Sequence, residues 1–434
     1  MVLKKYINFI NDHENRLFTV YLFLIIFFLP ISVLFNYVSP TLTEKFNFFY
    51  FSRLILIIYS LLLIALYKNN YKPNYNLLLI LILNFIYIFN YNFGYTVNYD
   101  YKFSDKLQII SSLKEDIFYN KNKYNIISAS VILCSIIPVF FFNKIADDFF
   151  FKLLRLLLFI FIALVIFNSF INFKILISDY REFYDFFSQR AVNVHQLLLI
   201  PFLYFNIFLI KKKKFKLIEL ILLTTCLFII ILFKSKIYLY GLLFFLAITF
   251  FFEKNFSQNQ NIKRRIAKLL VIFLIGFLLL NIIYKIEIFD YDKFYVLPFI
   301  ISFENFDQIS FHSLKFSIDS RLDIWKYYLE NFTHGNKIIG NSIYNNNLPT
   351  YPHNIFIDIL YCTGVLGLSL FFFLISKIFL NVRKIYNKNR LLFLIFIQLS
   401  YVSFFSGFFF VNIPLVMILA LLIRFIGDSD FVIK

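Results

Sequence analysis

An all-α integral membrane protein of about twelve transmembrane helices is what the sequence predicts, on three observations. Of 434 residues, 60% are hydrophobic and 16% charged, with nine Gly and nine Pro; a soluble domain carries roughly 45–50% apolar and about 25% charged residues. The apolar residues fall in runs of about 20, the length that crosses a hydrocarbon core about 30 Å thick. Between those runs Lys and Arg gather in short loops, as the positive-inside rule requires.

Taken in order, the spans are expected near 17–38, 48–67, 75–93, 125–142, 149–172, 191–210, 217–233, 237–252, 269–284, 354–380, 391–411 and 413–427. The first run is too long for a signal-peptide core and has no small-x-small cleavage site, so it reads as a retained span. The run 237–252 is short, and only Asn412 and Pro414 divide the last pair. With the N-terminus inside, the basic loops "KKKKFK" (211–216), "KRRIAK" (263–268) and "RKIYNKNR" (383–390) all fall in the cytoplasm, together with Lys68, Lys72, Lys144, Lys152 and Arg155. Both termini are then cytoplasmic. That placement accounts for the net charge of +18 without nucleic acid. The three cysteines lie in apolar runs and show no metal spacing. The Phe, Tyr, Asn, Ile and Lys richness looks like the coding bias of an AT-rich genome and carries little functional weight.

Three parts follow: an N-terminal bundle of about nine spans (1–284), a large outer loop (285–353) and C-terminal helices (354–434). A loop as long as 285–353 is usually functional or disordered. Within it, Ile318, Leu322, Trp325, Tyr328 and Leu329 recur at helical spacing, predicting an amphipathic helix over 318–332. The stretch "THGNKIIGNSIYNNNLPTYP" reads as loop. At its end, Pro352, His353 and Asn354 stand at the mouth of the tenth span. Asn354 is a candidate N-cap, which puts His353 at the outer boundary, beside a helix N-terminus suited to an anionic group. Asp358 lies about one turn into the span. It is either a functional group or a hydrogen-bonding partner for a neighbouring helix. Arg321 and Trp325, four apart, share a helix face: a guanidinium presented to phosphate, or an Arg snorkelling beside an interfacial Trp. His353 itself is either chemically active or an interfacial anchor.

The ordered pattern "SRLDIWKYYLENF…IIGNSIYNNN…YPHNIFIDILYCTGVLGLSLFF" resembles the C-terminal signature of the O-antigen ligase/polymerase family over about 50 residues (320–370). Its elements are an Arg and Trp on an outer-loop helix, a Gly-containing turn, His-Asn at a span's start and a Gly-x-x-Gly, here Gly364 and Gly367. The family also carries an outer Arg before a middle span, a place Arg190 occupies here; His195, a turn later, reads equally as a packing residue. Two departures stand out. Ser235-Lys236 replaces a Ser-Arg, and Lys cannot recognise phosphate bidentately; the usual Gly-x-Gly after the Trp is reduced to Gly340.

The resemblance implies a GT-C-like bundle in a bacterial inner membrane and a metal-independent glycosyltransferase on its outer face. The donor would be an undecaprenyl-pyrophosphate-linked glycan. The acceptor would be a lipid-linked repeat unit in a polysaccharide polymerase, or lipid A-core in an O-antigen ligase. His353 and Arg321 would be catalytic, with Arg190, Lys236, Trp325, Asn354 and Asp358 binding pyrophosphate or acceptor, and with no cofactor. Asp319, Asp323 and Asp358 are carboxylates able to serve as alternative bases or to orient His353. Arginines neutralise a pyrophosphate leaving group without a metal, and a histidine near pKa ~6.5 suits an acceptor hydroxyl. From another class, a lipid-linked oligosaccharide flippase also has about twelve spans and many basic residues. Such transporters show internal repeats and helices broken by Gly or Pro near the midplane; the sequence shows neither.

Overall fold

The computed structural model describes residues 14–28, 48–67, 71–94, 127, 129–142, 146–171, 191–210, 217–232, 241, 322–341, 354–388, 390–406, 409–410 and 412–430. The described chain is almost entirely helical. In order, α1 is Glu14–Phe23, continuing through a π-helical turn at Leu24–Phe28; α2 is Phe48–Tyr67; α3 is Tyr75–Phe93; α4 is Ala129–Phe140, with a 3₁₀ last turn; α5 is Asp147–Ile171. Then come α6 (Ala191–Ile210), α7 (Leu217–Leu232), α8 (322–334), α9 (Ile355–Leu380), α10 (Val382–Lys388), α11 (Arg390–Ser406) and α12 (Ile413–Asp430).

The chain forms two compact units. One comprises Met1–Ile26, Tyr50–Ala146 and Gln308–Lys434; the other comprises Phe27–Phe49 and Asp147–Asp307. At the centre of the first unit lies α12, whose residues Leu415–Leu422 are all buried. A helix apolar on every side belongs inside a core, and α12 packs on α3, α9 and α11. α9 lies along α3 as well. Asn74 starts α3 by accepting from the Asn76 and Leu77 amides at 3.0 and 3.3 Å, which satisfies two of the N–H groups that a helix start leaves unpaired. Near the chain start, Phe18 stacks on Phe142 and Tyr21 on Tyr59, with centroids 4.6 and 5.5 Å apart. In the second unit, α6 packs against both α5 and α7. There the buried Glu219 of α7 meets Arg155 at 3.0 Å and accepts from the Tyr204 hydroxyl.

Among the described residues, one helix is long and apolar enough to cross a membrane by length and composition: α9, with a mean hydropathy of 2.1. Shorter apolar stretches lie in α2, α3, α4, α6, α7, α11 and α12. Several helices turn large apolar side chains outward, including Leu54, Ile58 and Leu61 on α2, Leu78, Ile82, Phe85 and Phe89 on α3, and Phe372, Phe373 and Phe379 on α9.

The structure corrects the expectation of unbroken helices. α9 is two helices joined at a kink, because Gly364 has φ 66° and ψ −168°, a region open essentially to glycine alone. The apolar run "ILYCTGVLGLSLFF" carries no Pro, and a single Gly costs a helix only about 1 kcal/mol. Its break is therefore invisible to periodicity.

Candidate functional site

The candidate site is assembled where α8, the turn after it, α3 and the first half of α9 meet. α8 is helical as expected, but its buried face differs from the predicted one. Ile324, Tyr327, Tyr328 and Asn331 face inward, while Leu322 and Leu329 are 50% and 43% exposed. Two apolar stripes overlap on this helix, and periodicity cannot say which one finds a partner. The winner is the tyrosine stripe. Tyr328 packs edge-to-face on Tyr361 of α9, with centroids 5.0 Å apart, and Asn331 satisfies its own amide on the Tyr327 carbonyl at 3.0 Å. Burial, then the neighbouring Tyr361, Cys362 and Asp358, push the Tyr328 phenol well above its usual 10.0, so it stays protonated at any physiological pH.

The losing stripe is left open. Leu322, Trp325, Lys326, Leu329, Glu330 and Thr333 line a shallow groove of about 400 Å³. Lys326 and Glu330, one turn apart on α8, pair at its edge at 3.8 Å. Trp325 is half-buried there.

After α8 the chain makes a tight turn built by asparagine. Asn336 Oδ1 accepts from the Ile338 and Ile339 amides at 3.0 and 3.2 Å, and the Asn336 carbonyl accepts from the Gly340 amide at 3.0 Å. Asn341 Oδ1 closes the turn by accepting from the Asn336 amide at 2.8 Å. The turn enters the break in α9. An intact helix would pair the Tyr361 carbonyl with the Val365 amide, and the Cys362 carbonyl with the Leu366 amide. Here the Val365 and Leu366 amides donate to the Lys337 and Ile338 carbonyls at 2.9 and 3.1 Å, and the Asn341 amide donates to the Tyr361 carbonyl at 2.7 Å. The Cys362 carbonyl is met by Asn90 of α3, whose Nδ2 lies 2.9 Å away and also donates to the Ile339 carbonyl.

Two glycines make the crossing possible. A Cβ on Gly340 (φ 89°) would stand 2.5 Å from the Cys362 carbonyl carbon and the Thr363 nitrogen, and one on Gly364 would collide with the Ile338 carbonyl. Each glycine is thus pressed against the other's backbone.

At the start of α9, Asn354 is an N-cap as its position predicted. It has extended dihedrals, and its Oδ1 accepts from the Phe356 and Ile357 amides at 2.9 and 3.3 Å. Asp358, one turn on, is buried and turned toward the protein. Its Oδ2 accepts from the Phe409 amide at 2.8 Å, and its Oδ1 receives the Cys362 thiol at 3.6 Å. It ties α9 to the turn before α12, where Phe410 stacks on Tyr87 with centroids 4.1 Å apart.

Of the residues singled out from sequence, Trp325, Asn354 and Asp358 are therefore placed: Trp325 on the open groove, Asn354 and Asp358 one turn apart on α9. Arg190, Lys236, Arg321 and His353 lie outside the described residues, as do Asp319 and the side chain of His195 on α6. Asn90, Asn336 and Asn341 were missed. For Asn90 a signal existed, because an asparagine inside the apolar run "LILNFIYIFNYNF" needs a hydrogen-bonding partner if the run is buried. No groups of three or more His, Cys, Asp or Glu suited to a metal occur among the described residues. No protein-family model, curated protein or solved structure matches this chain.

Proposed function

We propose that this chain is a polysaccharide polymerase of the bacterial inner membrane. It has about twelve spans and both termini in the cytoplasm, and it joins lipid-linked glycans on the outer face. The observation that carries the reading is spatial. The Trp325 helix, the Gly340 turn and the Gly364 segment of α9, which the resemblance orders along the sequence, are packed on one another through Tyr328–Tyr361 and the glycine crossing. The outward Leu and Phe side chains of α2, α3 and α9 add support for a lipid environment, since such apolar faces are costly in water.

In this reading the acceptor sugar hydroxyl loses its proton to a ring nitrogen of His353 and its oxygen attacks the anomeric carbon of the donor glycan. The bond from that carbon to the pyrophosphate oxygen breaks, and undecaprenyl pyrophosphate leaves with the electron pair. Arg321 and Arg190, with Lys236, neutralise the charge gathering on the leaving group. Trp325 offers the apolar groove to substrate, and the capped helix start at Asn354 sets the depth of His353 at the membrane boundary. Asp358 is committed to the Phe409 amide, which makes it a brace for that helix start.

An O-antigen ligase uses the same chemistry with lipid A-core as acceptor. The break in α9 is the one observation on the side of a flippase. Surface glycans of a strain lacking the gene, complemented with the parent or with His353→Ala, separate the readings. Lipid A-core carrying a single repeat unit marks a polymerase, and long glycan held on the undecaprenyl carrier marks a ligase. Repeat units trapped on the cytoplasmic face mark a flippase. Rescue by the parent and not by an equally abundant His353→Ala supports the site, and full rescue removes His353 from it.

A further inference from the structure

We propose that Asn90 is a positioning residue: it locks the outer-loop turn 336–341 into the break of α9 and so holds the Trp325 helix in register with the capped start of α9. The inference rests on the transferase reading for what is positioned, and on the geometry alone for the lock. Asn90 Nδ2 is the single donor among the described contacts that reaches both halves of the crossing, the Ile339 carbonyl on the turn and the Cys362 carbonyl on α9. The Cys362 carbonyl has lost its helical partner, because the Leu366 amide is taken by Ile338. Removing the Asn90 amide therefore takes from the buried Cys362 carbonyl and the half-buried Ile339 carbonyl the one side-chain donor that the described contacts give them.

The consequence reaches both ends of the site. On one side of the crossing, α8 ends just before the turn, with Gly335 donating to the Phe332 carbonyl at 3.3 Å; on the other, Asn354 lies ten residues before Gly364 on α9. The turn is too short and too fully hydrogen-bonded to absorb a shift, so a displaced turn moves the Trp325 groove relative to the helix start. Among its described contacts, Asn90 reaches neither groove nor helix start. Its effect passes through backbone.

The test uses the full-length chain in its own membrane, with Cys134→Ala and the cysteine pair Lys337→Cys and Val365→Cys. Val365 donates to Lys337 across the crossing at 2.9 Å and both side chains are exposed, so a short bis-maleimide spans the pair. Linkage is read by mass spectrometry and glycan transfer by gel, at matched protein abundance. Expected is nearly complete linkage in the Asn90 chain with transfer retained, and a fall of about five-fold or more in linkage with Asn90→Ala. Transfer by Asn90→Ala falls by roughly ten-fold or more at unchanged half-saturation for acceptor. Linking the residual Asn90→Ala population restores its transfer rate, which a general loss of fold does not predict. Equal linkage with and without the Asn90 amide overturns the lock. Linked Asn90→Ala that stays slow overturns the positioning role. If the parent chain transfers no glycan, the transferase reading fails while the linkage result still decides the lock.

Discussion

Gly364→Ala tests the crossing most directly. The parent residue sits at φ 66° and ψ −168°, and an L-residue held there costs roughly 1–3 kcal/mol. The new methyl also meets backbone: it collides with the Ile338 carbonyl and stands 2.6 Å from the Gly340 nitrogen. Neither atom belongs to a side chain that can rotate away, so the turn must withdraw. Withdrawal breaks the bonds from Val365, Leu366 and Asn341 across the break, and a single buried group left unpaired adds about 1–3 kcal/mol. The two terms together give about 2–6 kcal/mol, centred near about 4. Val365→Ala is the control. Its side chain is exposed beside the same break, the shorter side chain leaves the Val365 amide on the Lys337 carbonyl, and Ala is the better helix former. The assay is the thermal unfolding midpoint of the purified chain in detergent. Extending the size trend to this length gives about 1–2 °C per kcal/mol, hence a drop of about 4–8 °C for Gly364→Ala. A drop no larger than that of Val365→Ala would refute the reasoning. Gly340→Ala combined with Gly364→Ala should fall short of the sum of the singles, because both release the same turn.

Three further outcomes follow from other contacts, each read by the same thermal midpoint. Asn354→Ala removes the acceptor for the Phe356 and Ile357 amides and costs about 1 kcal/mol, whereas Asn354→Asp keeps the cap and holds the parent midpoint. Asp358→Leu leaves the buried Phe409 amide unpaired and costs about 1–3 kcal/mol; Asp358→Asn, which keeps an acceptor oxygen, costs less. In the second unit, Arg155 is 35% exposed and Glu219 only 9%. Arg155→Met strands the more buried charge and should therefore destabilise more than Glu219→Gln, which frees an arginine able to reach water.

How far these features could be read in advance depends on the length scale of the signal. Helices reported by long apolar runs were legible: α2, α3, α6 and α9 begin and end within a residue of the expected 48–67, 75–93, 191–210 and 354–380. The cap at Asn354 was legible too, because a capping asparagine acts on the amides two and three residues ahead of it. The inward face of α8 was not. Asn331 counts as polar by letter, yet it packs inward with Tyr327, and the choice between two stripes belongs to α9. The crossing was hidden for the same reason. Asn90 and Cys362 are 272 positions apart, and no local pattern at either position announces the other. The glycines were noticed as Gly340 and a Gly-x-x-Gly, but the pair that matters is Gly340 with Gly364, joined through space.

The break in α9 bears on the choice between the transferase and the transporter readings. Unwound helices in transporters leave carbonyls and amides free to coordinate ions at mid-membrane, and irregular backbone at that depth is tolerated only where protein or a water-filled cavity receives it. In α9 the four groups released by the kink are spoken for. The Tyr361 carbonyl receives Asn341, the Cys362 carbonyl receives Asn90, and the Val365 and Leu366 amides reach Lys337 and Ile338. A kink filled by polypeptide offers an ion none of these four ligands. It does offer a mechanical joint, because the filling segment is continuous with the helix that carries Trp325. A transporter would need that joint to open during each cycle, exposing the Cys362 and Ile339 carbonyls. A transferase needs it shut, since reacting groups must be held to within a fraction of an ångström. The same Lys337–Val365 linkage therefore discriminates between the classes: a linked chain that still elongates glycan is a transferase with a fixed joint, and a linked chain that stops moving lipid-linked sugar across the membrane is a transporter.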